Sequence, residues 1–441
     1  MTPKGFGWII VDALDTLILM NQTTRLQDAR KWLATVDYDQ DQDVNTFETT
    51  IRMLGGLLSA HYLSTAFPNM CPLSEDDPGT IGEDLYLEKA KDLGDRIMSA
   101  FESDSGVPYA SFNLKTLQGI PSHDDGGASS TAEATTLQLE FKYLAKLTGE
   151  AYFWEKAEKV MERIDNNGAQ DGLVPIYVYA TSGEFRGRNI RLGSRGDSYY
   201  EYLIKQYLQT NKAEKVYEEM WDQALEGVRK HLITYSKPSR FTVLGERPDG
   251  LQGMLSPKMD HLVCFMPGTI ALGATGGLTL REAQKLSSWS TKKTEEVKLA
   301  RELMYTCWAM YKAMATGLAP EIAHFEVDNS PLPYNSPHSP PHTLEGGKEA
   351  EWNKDFNIKP GDKHNLQRPE TIESLFYMWR ITGDEIYREW GWEMFQSFME
   401  YSAVEDGGGF TSLRNADEIP PTTIDNMESF WLVCQFLLSF S

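Results

Sequence analysis

The sequence has 441 residues with 42 basic against 64 acidic side chains, a net charge of −22 at pH 7, which lacks the basic footprint a nucleic-acid partner requires. Its 41% apolar content supports a large buried core, whether as two or three domains or as one large fold of repeated helical pairs. Four cysteines (Cys71, Cys264, Cys307 and Cys434) are too few for a disulfide scaffold, and they allow three full pairings that spacing cannot choose between.

Taken in chain order, the opening "MTPKGFGWIIVDALDTLILM" is interrupted by Asp12 and Asp15, so it reads neither as a signal peptide nor as a membrane span. "NQT" at Asn21 fits the N-glycosylation triplet. "VNTFETTIRMLGG" opens a helix on Glu48, with Arg52 one turn on. The loop "HDDGGASS" leads into "SSTAEATTLQLEF" and its Glu133, after which "YLAKLTGEAYFWEKAEKVMERI" reads as helix, Thr-Gly turn, helix. "GRNIRLGSRGD" leads to Asp197, with Glu201 at i+4, and a second helical pair follows in "YLIKQYLQTNKAEKVYEEMWDQAL". The span from Phe325 to His364, rich in proline, is the longest irregular insertion and reads as a mobile surface loop.

"RPETIESLFYMW" then opens the most informative helix. Pro369 suits the first helical position, and Ile372, Leu375, Phe376 and Trp379 form an apolar stripe. Glu370 and Glu373 share the opposite face beside Tyr377. The helix pair repeats the Thr-Gly turn in "YMWRITGDEIYREWGWEMFQSF", and "DNMESFWL" places Glu428 at a last helix start. The final "FWLVCQFLLSFS" is too short to span a membrane.

One acid in a first helical turn signifies little, since the helix dipole favours it by only ~0.3–1 kcal/mol. Five acidic helix starts of one design predict more: an all-α array of helical pairs, closed as a toroid, whose inner helices point their acids at one cavity. Carboxylates beside arginines (Arg52, Arg195, Arg368) and numerous aromatics fit glycoside hydrolysis, where one carboxyl protonates the leaving oxygen and another activates water or attacks. No CxxC or His/Cys cluster suggests zinc. A terpene-cyclase toroid is disfavoured by the absence of DDxxD.

"FETTIRMLGGLLSA", "GGASSTAEATTLQLEFKYL", "LGSRGDSYYEYL", "SPKMDHLVCFMPG", "GLAPEI", "KHNLQRPETIESLF" and "NMESFWL" together resemble glycoside hydrolase family 47, the class I α-1,2-mannosidases, in matching order from Trp8 to Leu432. The fungal endoplasmic-reticulum members are the nearest in pattern. That resemblance implies an (α/α)7 barrel as a single catalytic domain over 1–441. It implies a monomer in the endoplasmic-reticulum or Golgi lumen, inverting hydrolysis of terminal α-1,2-mannose on high-mannose N-glycans of glycoproteins, and one Ca2+ ion. Residue by residue, Glu48 matches the general acid acting through a water, Glu370 the general base, and Asp197 the remaining essential carboxylate, in some accounts the acid. Arg52, Glu133, Glu201, His261, Glu321, Arg368, Glu373 and Phe430 fall on cavity positions, with Phe430 a platform beneath the terminal mannose; Asp12 is a weaker match. Arg195 resembles the arginine that restricts the endoplasmic-reticulum enzymes to one glycan branch. Cys264 and Cys307 match the family disulfide, leaving Cys71 and Cys434 reduced.

Two departures accompany the resemblance. After "ESFWL" the family continues to a hairpin whose threonine ligates the calcium directly, whereas this sequence reads "VCQFLLSFS". Cys434 stands where the family has a cavity glutamate, so Glu370, Glu373 and Glu428 are left to reach the metal through water. The usual membrane anchor and the first residues of the catalytic domain are likewise not matched, and the chain is expected to be shortened at both ends. The alternative this supports is a glycan-binding quality-control protein that keeps the pocket and has lost hydrolysis.

Overall fold

The computed structural model describes residues 5–77, 79, 84–328, 334–335, 343–405 and 407–432; Cys434 lies outside them. The chain divides into two compact units, residues 1–169 with 174–188, and residues 170–173 with 189–441. Both are helical, with short antiparallel ribbons at helix ends.

In the first unit the helices Gln138–Thr148 and Ala151–Asn166 form the expected pair, turning on Gly149 at φ 75°. A left-handed residue there lets the chain reverse without the Cβ clash any other side chain would bring. The longer helix carries Phe153, Ala157, Val160, Met161 and Ile164 along one buried face, the 3.6-residue period that the sequence shows. The stretch around Glu133 is not one continuous helix: Thr131–Thr135 ends before Gln138–Thr148 begins, with Thr136 and Leu137 outside helical geometry. Consecutive β-branched threonines are poor helix formers, and here the Thr135 and Thr136 hydroxyls bond back to carbonyls of the preceding turn. Near Glu48 the helix Thr46–Glu48 widens into a π-helical turn, Thr49–Leu54, before Gly55–Ala66. Gly56 allows that helix to lie against the carbonyl of Val11, only 2.6 Å from where a Cβ would sit.

The second unit is built around Met266–Thr275, a helix with eight of its ten residues buried. It packs between Thr291–Lys312 and Glu370–Thr382. The longer stretch His261–Ala283 is apolar enough to cross a membrane by length and composition, yet 67% of its 18-residue apolar window is buried inside the protein, as a core helix should be. Gly268 brings this helix against Ser374: the Gly268 N–H donates to Ser374 Oγ at 3.0 Å, and that hydroxyl donates to the Cys264 carbonyl at 2.5 Å. Pro369 caps Glu370–Thr382 from outside instead of occupying its first position. Ile372 and Leu375 are buried as the stripe predicts, while Phe376 and Trp379 are half-buried and Met378 takes the inward place. Glu370–Thr382 and Ile386–Tyr401 pair through Gly383 at φ 74°.

The proline-rich insertion is corrected in part, because from residue 343 onward it is anchored. Trp352 is buried and donates to the Glu345 carbonyl at 2.9 Å. Asp355 is fully buried and accepts hydrogen bonds from Ser236 Oγ at 2.5 Å and the Ser239 N–H at 2.9 Å. Phe356–Asn357 then joins Ile322–Phe325 and Lys258–Asp260 in a three-stranded ribbon. Proline content signals irregular backbone, and side chains such as these decide whether it is tied down.

Cys264 and Cys307 form a disulfide that ties the turn His261–Phe265 to Thr291–Lys312, while Cys71 is free and half-buried. The bridge closes a 43-residue separation, and such a cross-link restricts the unfolded chain by ~2–4 kcal/mol. Replacing both cysteines by alanine should therefore lower the thermal midpoint by several degrees in calorimetry; an unchanged midpoint would show that the bridge adds no stability.

Candidate active site

In the first unit Asn45 caps its helix, its side chain accepting the Glu48 N–H at 2.7 Å. One turn later, Arg52 Nε donates to Glu48 Oε2 at 2.6 Å, and Arg52 Nη1 lies 3.7 Å from the buried carboxylate of Asp12. The weaker sequence match of Asp12 thus falls on the partner of a predicted site residue. Glu133 repeats the design, with Ser130 Oγ accepting its N–H at 3.2 Å. The ribbon pairing Ala128–Ser130 with Tyr177–Tyr179 fixes that cap, and Glu133 lines a narrow recess with Thr46, Phe47, Tyr109 and Ser129.

In the second unit Asp197 and Glu370 are each the first residue of a helix, where backbone N–H groups favour a carboxylate. His261 is 2% exposed. Its Nδ1 sits 3.2 Å from Glu370 Oε2, and its Nε2 meets Tyr311 Oη at 2.9 Å and Thr371 Oγ1 at 3.1 Å. The ribbon of Lys258–Asp260 and Ile322–Phe325 aligns this histidine with Glu321, whose carbonyl accepts the His261 N–H at 2.8 Å. Glu321 Oε1 in turn accepts from Arg368 Nε at 2.7 Å.

Lys205 bridges Glu201 and Glu373, at 2.5 and 3.0 Å. Arg195 lies in the loop before Asp197 at φ 72°, and that loop is held by the Ser194 N–H donating to Asp260 Oδ2 at 3.1 Å and by Arg191 Nε donating to the Ser194 carbonyl at 2.6 Å. Gly193 permits the approach: a Cβ there would lie 2.3 Å from Asp260 Oδ2. Glu428 does not begin a helix. It precedes the helical turn at Phe430 by two residues and accepts from Asn426 Nδ2 at 3.0 Å. Phe430 itself is half-buried beside the fully buried Trp431, which packs on Phe398 and Phe410.

The carboxyls of this unit differ in their proton affinity. Burial pushes Asp197 up to about 7; the charges of Glu370, Glu201 and Asp260 push the same way, and the Ser198 N–H opposes them. Burial also acts on Glu370, but the His261 hydrogen bond and the charges of His261 and Arg368 outweigh it and hold the carboxyl below its usual range. Glu373 is pushed up to about 7 by burial and by Glu201 and Glu370, with Lys205 opposing. Lys205 keeps its proton throughout, because the two carboxylates overcome its burial. The arrangement therefore sets one ionised carboxylate within electrostatic reach of one that takes up its proton near pH 7, a difference that acid–base chemistry on a glycosidic bond requires.

Compared with known proteins, residues 1–435 match Glycosyl hydrolase family 47. The chain belongs to that family. It is 51% identical over 440 residues to a mannosyl-oligosaccharide 1,2-alpha-mannosidase of Candida albicans, spanning 98% of this chain and 71% of that protein. The endoplasmic reticulum mannosyl-oligosaccharide 1,2-alpha-mannosidase of Saccharomyces cerevisiae is 46% identical, across 98% of this chain and 78% of its own length. The solved alpha-1,2-mannosidase from Trichoderma reesei superposes with a TM-score of 0.82 at 25% identity, covering 99% of this chain and 84% of that one. The fold is thus the all-α, α/α-barrel class of family 47, as the helical pairs predict.

Within this family 47 chain, sequence reasoning missed Lys205, Asp260 and Tyr311. Lys205 was the most accessible of these, being four residues after Glu201, whereas only tertiary packing brings Tyr311 to His261. Asp197 supplies a test of the electrostatics. Folding raises its carboxyl from 3.8 to about 7, so the native state holds a proton that the unfolded chain has lost, and stability must fall as pH rises across that window. Asp197→Asn should remove the decline, leaving stability near pH 4 little changed and raising it near pH 8 by on the order of 1–4 kcal/mol. Parallel stability curves for the two proteins would contradict the assignment.

Proposed function

We propose that the chain is an inverting α-1,2-mannosidase, acting as one catalytic domain on terminal α-1,2-linked mannose of high-mannose N-glycans in the endoplasmic-reticulum or Golgi lumen. The observation that carries the reading is the unequal pair of Asp197 and Glu370: two carboxyls at helix starts, one held ionised and the other protonated near neutrality. Glu370 takes the role of general base, accepting a proton from the water that attacks the anomeric carbon. His261, fixed by Tyr311 and Thr371, orients the Glu370 carboxylate and stabilises its charge.

Protonation of the leaving oxygen is assigned to Glu48 through a water, as the family match implies. The second candidate is Asp197, favoured by its elevated proton affinity, since a general acid must arrive protonated. Arg52, Glu133, Glu201, Glu321, Arg368 and Glu373 supply hydrogen bonds for sugar hydroxyls, Phe430 an apolar face for the ring, and Arg195 branch selection.

Calcium belongs to the same proposal, and the second unit suits it in chemistry. Its donors are oxygens, as a hard cation prefers, and Glu373 is pushed up to about 7 by burial and neighbouring negative charge that a cation would relieve. Among the described residues no three His, Cys, Asp or Glu groups form a direct ligand set, so Glu370, Glu373 and Glu428 would hold the ion through water. Bound there, calcium would supply positive charge and Lewis acidity to the waters and sugar hydroxyls around it.

Glu370→Gln should lower kcat on a high-mannose glycan by ~10²–10⁴-fold, with NMR showing β-mannose as the first product of the unaltered protein. Mannosyl fluoride, whose leaving group needs no proton, should restore turnover to whichever of Glu48→Gln and Asp197→Asn removes the acid, and leave Glu370→Gln inactive. First-formed α-mannose would overturn the assignment of Glu370 as a simple base. Tight glycan binding without turnover by the unaltered chain would favour the quality-control lectin.

A further inference from the structure

Asn21 is absorbed by neither the fold nor the proposed chemistry. "Asn21-Gln22-Thr23" is the one Asn-x-Ser/Thr triplet without a following-position proline in all 441 residues, and it falls in the turn between Leu14–Leu19 and Thr23–Ala34. Asn21 and Gln22 are exposed. The Asn21 backbone is left-handed at φ 54°, a conformation asparagine tolerates better than other non-glycine residues, and its N–H is already used by the Ile18 carbonyl at 3.0 Å. The side-chain amide is thereby presented outward on a closed turn. Thr23 Oγ1 lies over it, 3.5 Å from Asn21 Oδ1, and Nδ2 has no hydrogen-bond partner among the described residues. A substituent on Nδ2 would therefore displace no contact of the fold. Leu19, 48% exposed and two residues away, offers apolar surface such a substituent could shield.

The compartment is read independently from the buried Cys264–Cys307 disulfide, since disulfides persist in oxidising lumenal or extracellular environments and are rare in reducing ones. We propose that Asn21 is a site of N-glycosylation: its exposed amide, its hydroxyl-bearing Thr23 neighbour and its closed turn form an acceptor that the folded protein leaves uncovered. The donor is a lipid-diphosphate-linked oligosaccharide. Asn21 Nδ2 forms a bond to the first sugar's anomeric carbon as the bond from that carbon to the phosphate oxygen breaks; the lipid diphosphate leaves with the electron pair, and one amide proton is released. The inference rests on the lumenal part of the proposed function and on none of its catalytic assignments.

The full chain should be directed into the yeast secretory pathway by a cleavable signal, purified and measured by intact mass. Treatment with a glycan-releasing amidase in heavy-oxygen water should then lower the mass and leave an isotopically labelled aspartate at position 21. Thr23→Ser should keep the glycan and Thr23→Ala should lose it. The Thr23 hydroxyl contacts only Asn21 Oδ1 among the described residues, so both variants should fold, as an unchanged thermal midpoint would show. Peptide mapping of the same samples reports the Cys264–Cys307 bridge. A bridged protein with unmodified Asn21 would overturn the proposal alone. A reduced protein with unmodified Asn21 would overturn it together with the lumenal reading.

Discussion

Everything chemical in the second unit depends on the contact between His261 Nδ1 and Glu370 Oε2. An ionised carboxylate taken out of water loses several kcal/mol of solvation unless fixed donors and charges replace it. Here the replacement is an imidazole that is itself almost completely buried and held on its other nitrogen by Tyr311 and Thr371, with Arg368 adding positive charge. Much of the surrounding architecture serves to bring these two side chains to one place. The disulfide anchors the turn that carries His261, the small residue Gly268 lets the central helix meet Ser374, and the Ser374 hydroxyl bonds back to Cys264. The short ribbon Lys258–Asp260 with Ile322–Phe325 delivers His261 and Glu321 side by side. Each fastening lies within two or three residues of a group that does chemistry.

A second constraint is the shortage of positive charge among these half-buried acids. Lys205 is shared by Glu201 and Glu373, and Arg368 is paired with Glu321 while also acting on Glu370. Asp197 accepts the Ser198 N–H at 2.9 Å and the Ser198 hydroxyl at 3.5 Å, shares the charge of Arg368 with Glu321 and Glu370, and is pushed up to about 7 by burial and by the neighbouring acids. Identical functional groups thus take different protonation states because the cations are unevenly distributed. That asymmetry separates a site able to move protons from a structural ion-pair network, in which every acid would be neutralised by its own base.

Helical pairs and their turns were legible in the sequence because their signals are local: an apolar stripe of 3.6-residue period, and a glycine able to adopt φ near 75° at positions 149 and 383. The acidic residues Glu48, Glu133, Asp197 and Glu370 were legible for the same reason, each occupying the first turn of a helix. Glu428 shares their sequence pattern but lies ahead of its helical turn. The Cys264–Cys307 pairing came from the family pattern, as spacing alone leaves three arrangements open. Non-local features were not readable: the hydroxyl of Tyr311 at His261, the grip of Asp260 on the Ser194 backbone, and the anchoring of the 343–364 stretch by Trp352 and Asp355. Apart from the Trp352 bond, which reaches seven residues back to Glu345, these arise from contacts across 50 to 119 residues of sequence, over which no periodicity carries.

The central claim is that two half-buried carboxyls of one helical unit hold their protons with opposite affinity. It is tested most directly by following the side-chain carboxyl carbons of Asp197 and Glu370 by NMR from pH 3 to 9, assigned with the Asp197→Asn and Glu370→Gln proteins. Glu370 should ionise below the usual carboxylate range, and Asp197 only near pH 7. If Asp197 ionised first, or if both titrated together at ordinary carboxylate values, the electrostatic basis for assigning acid and base would be contradicted.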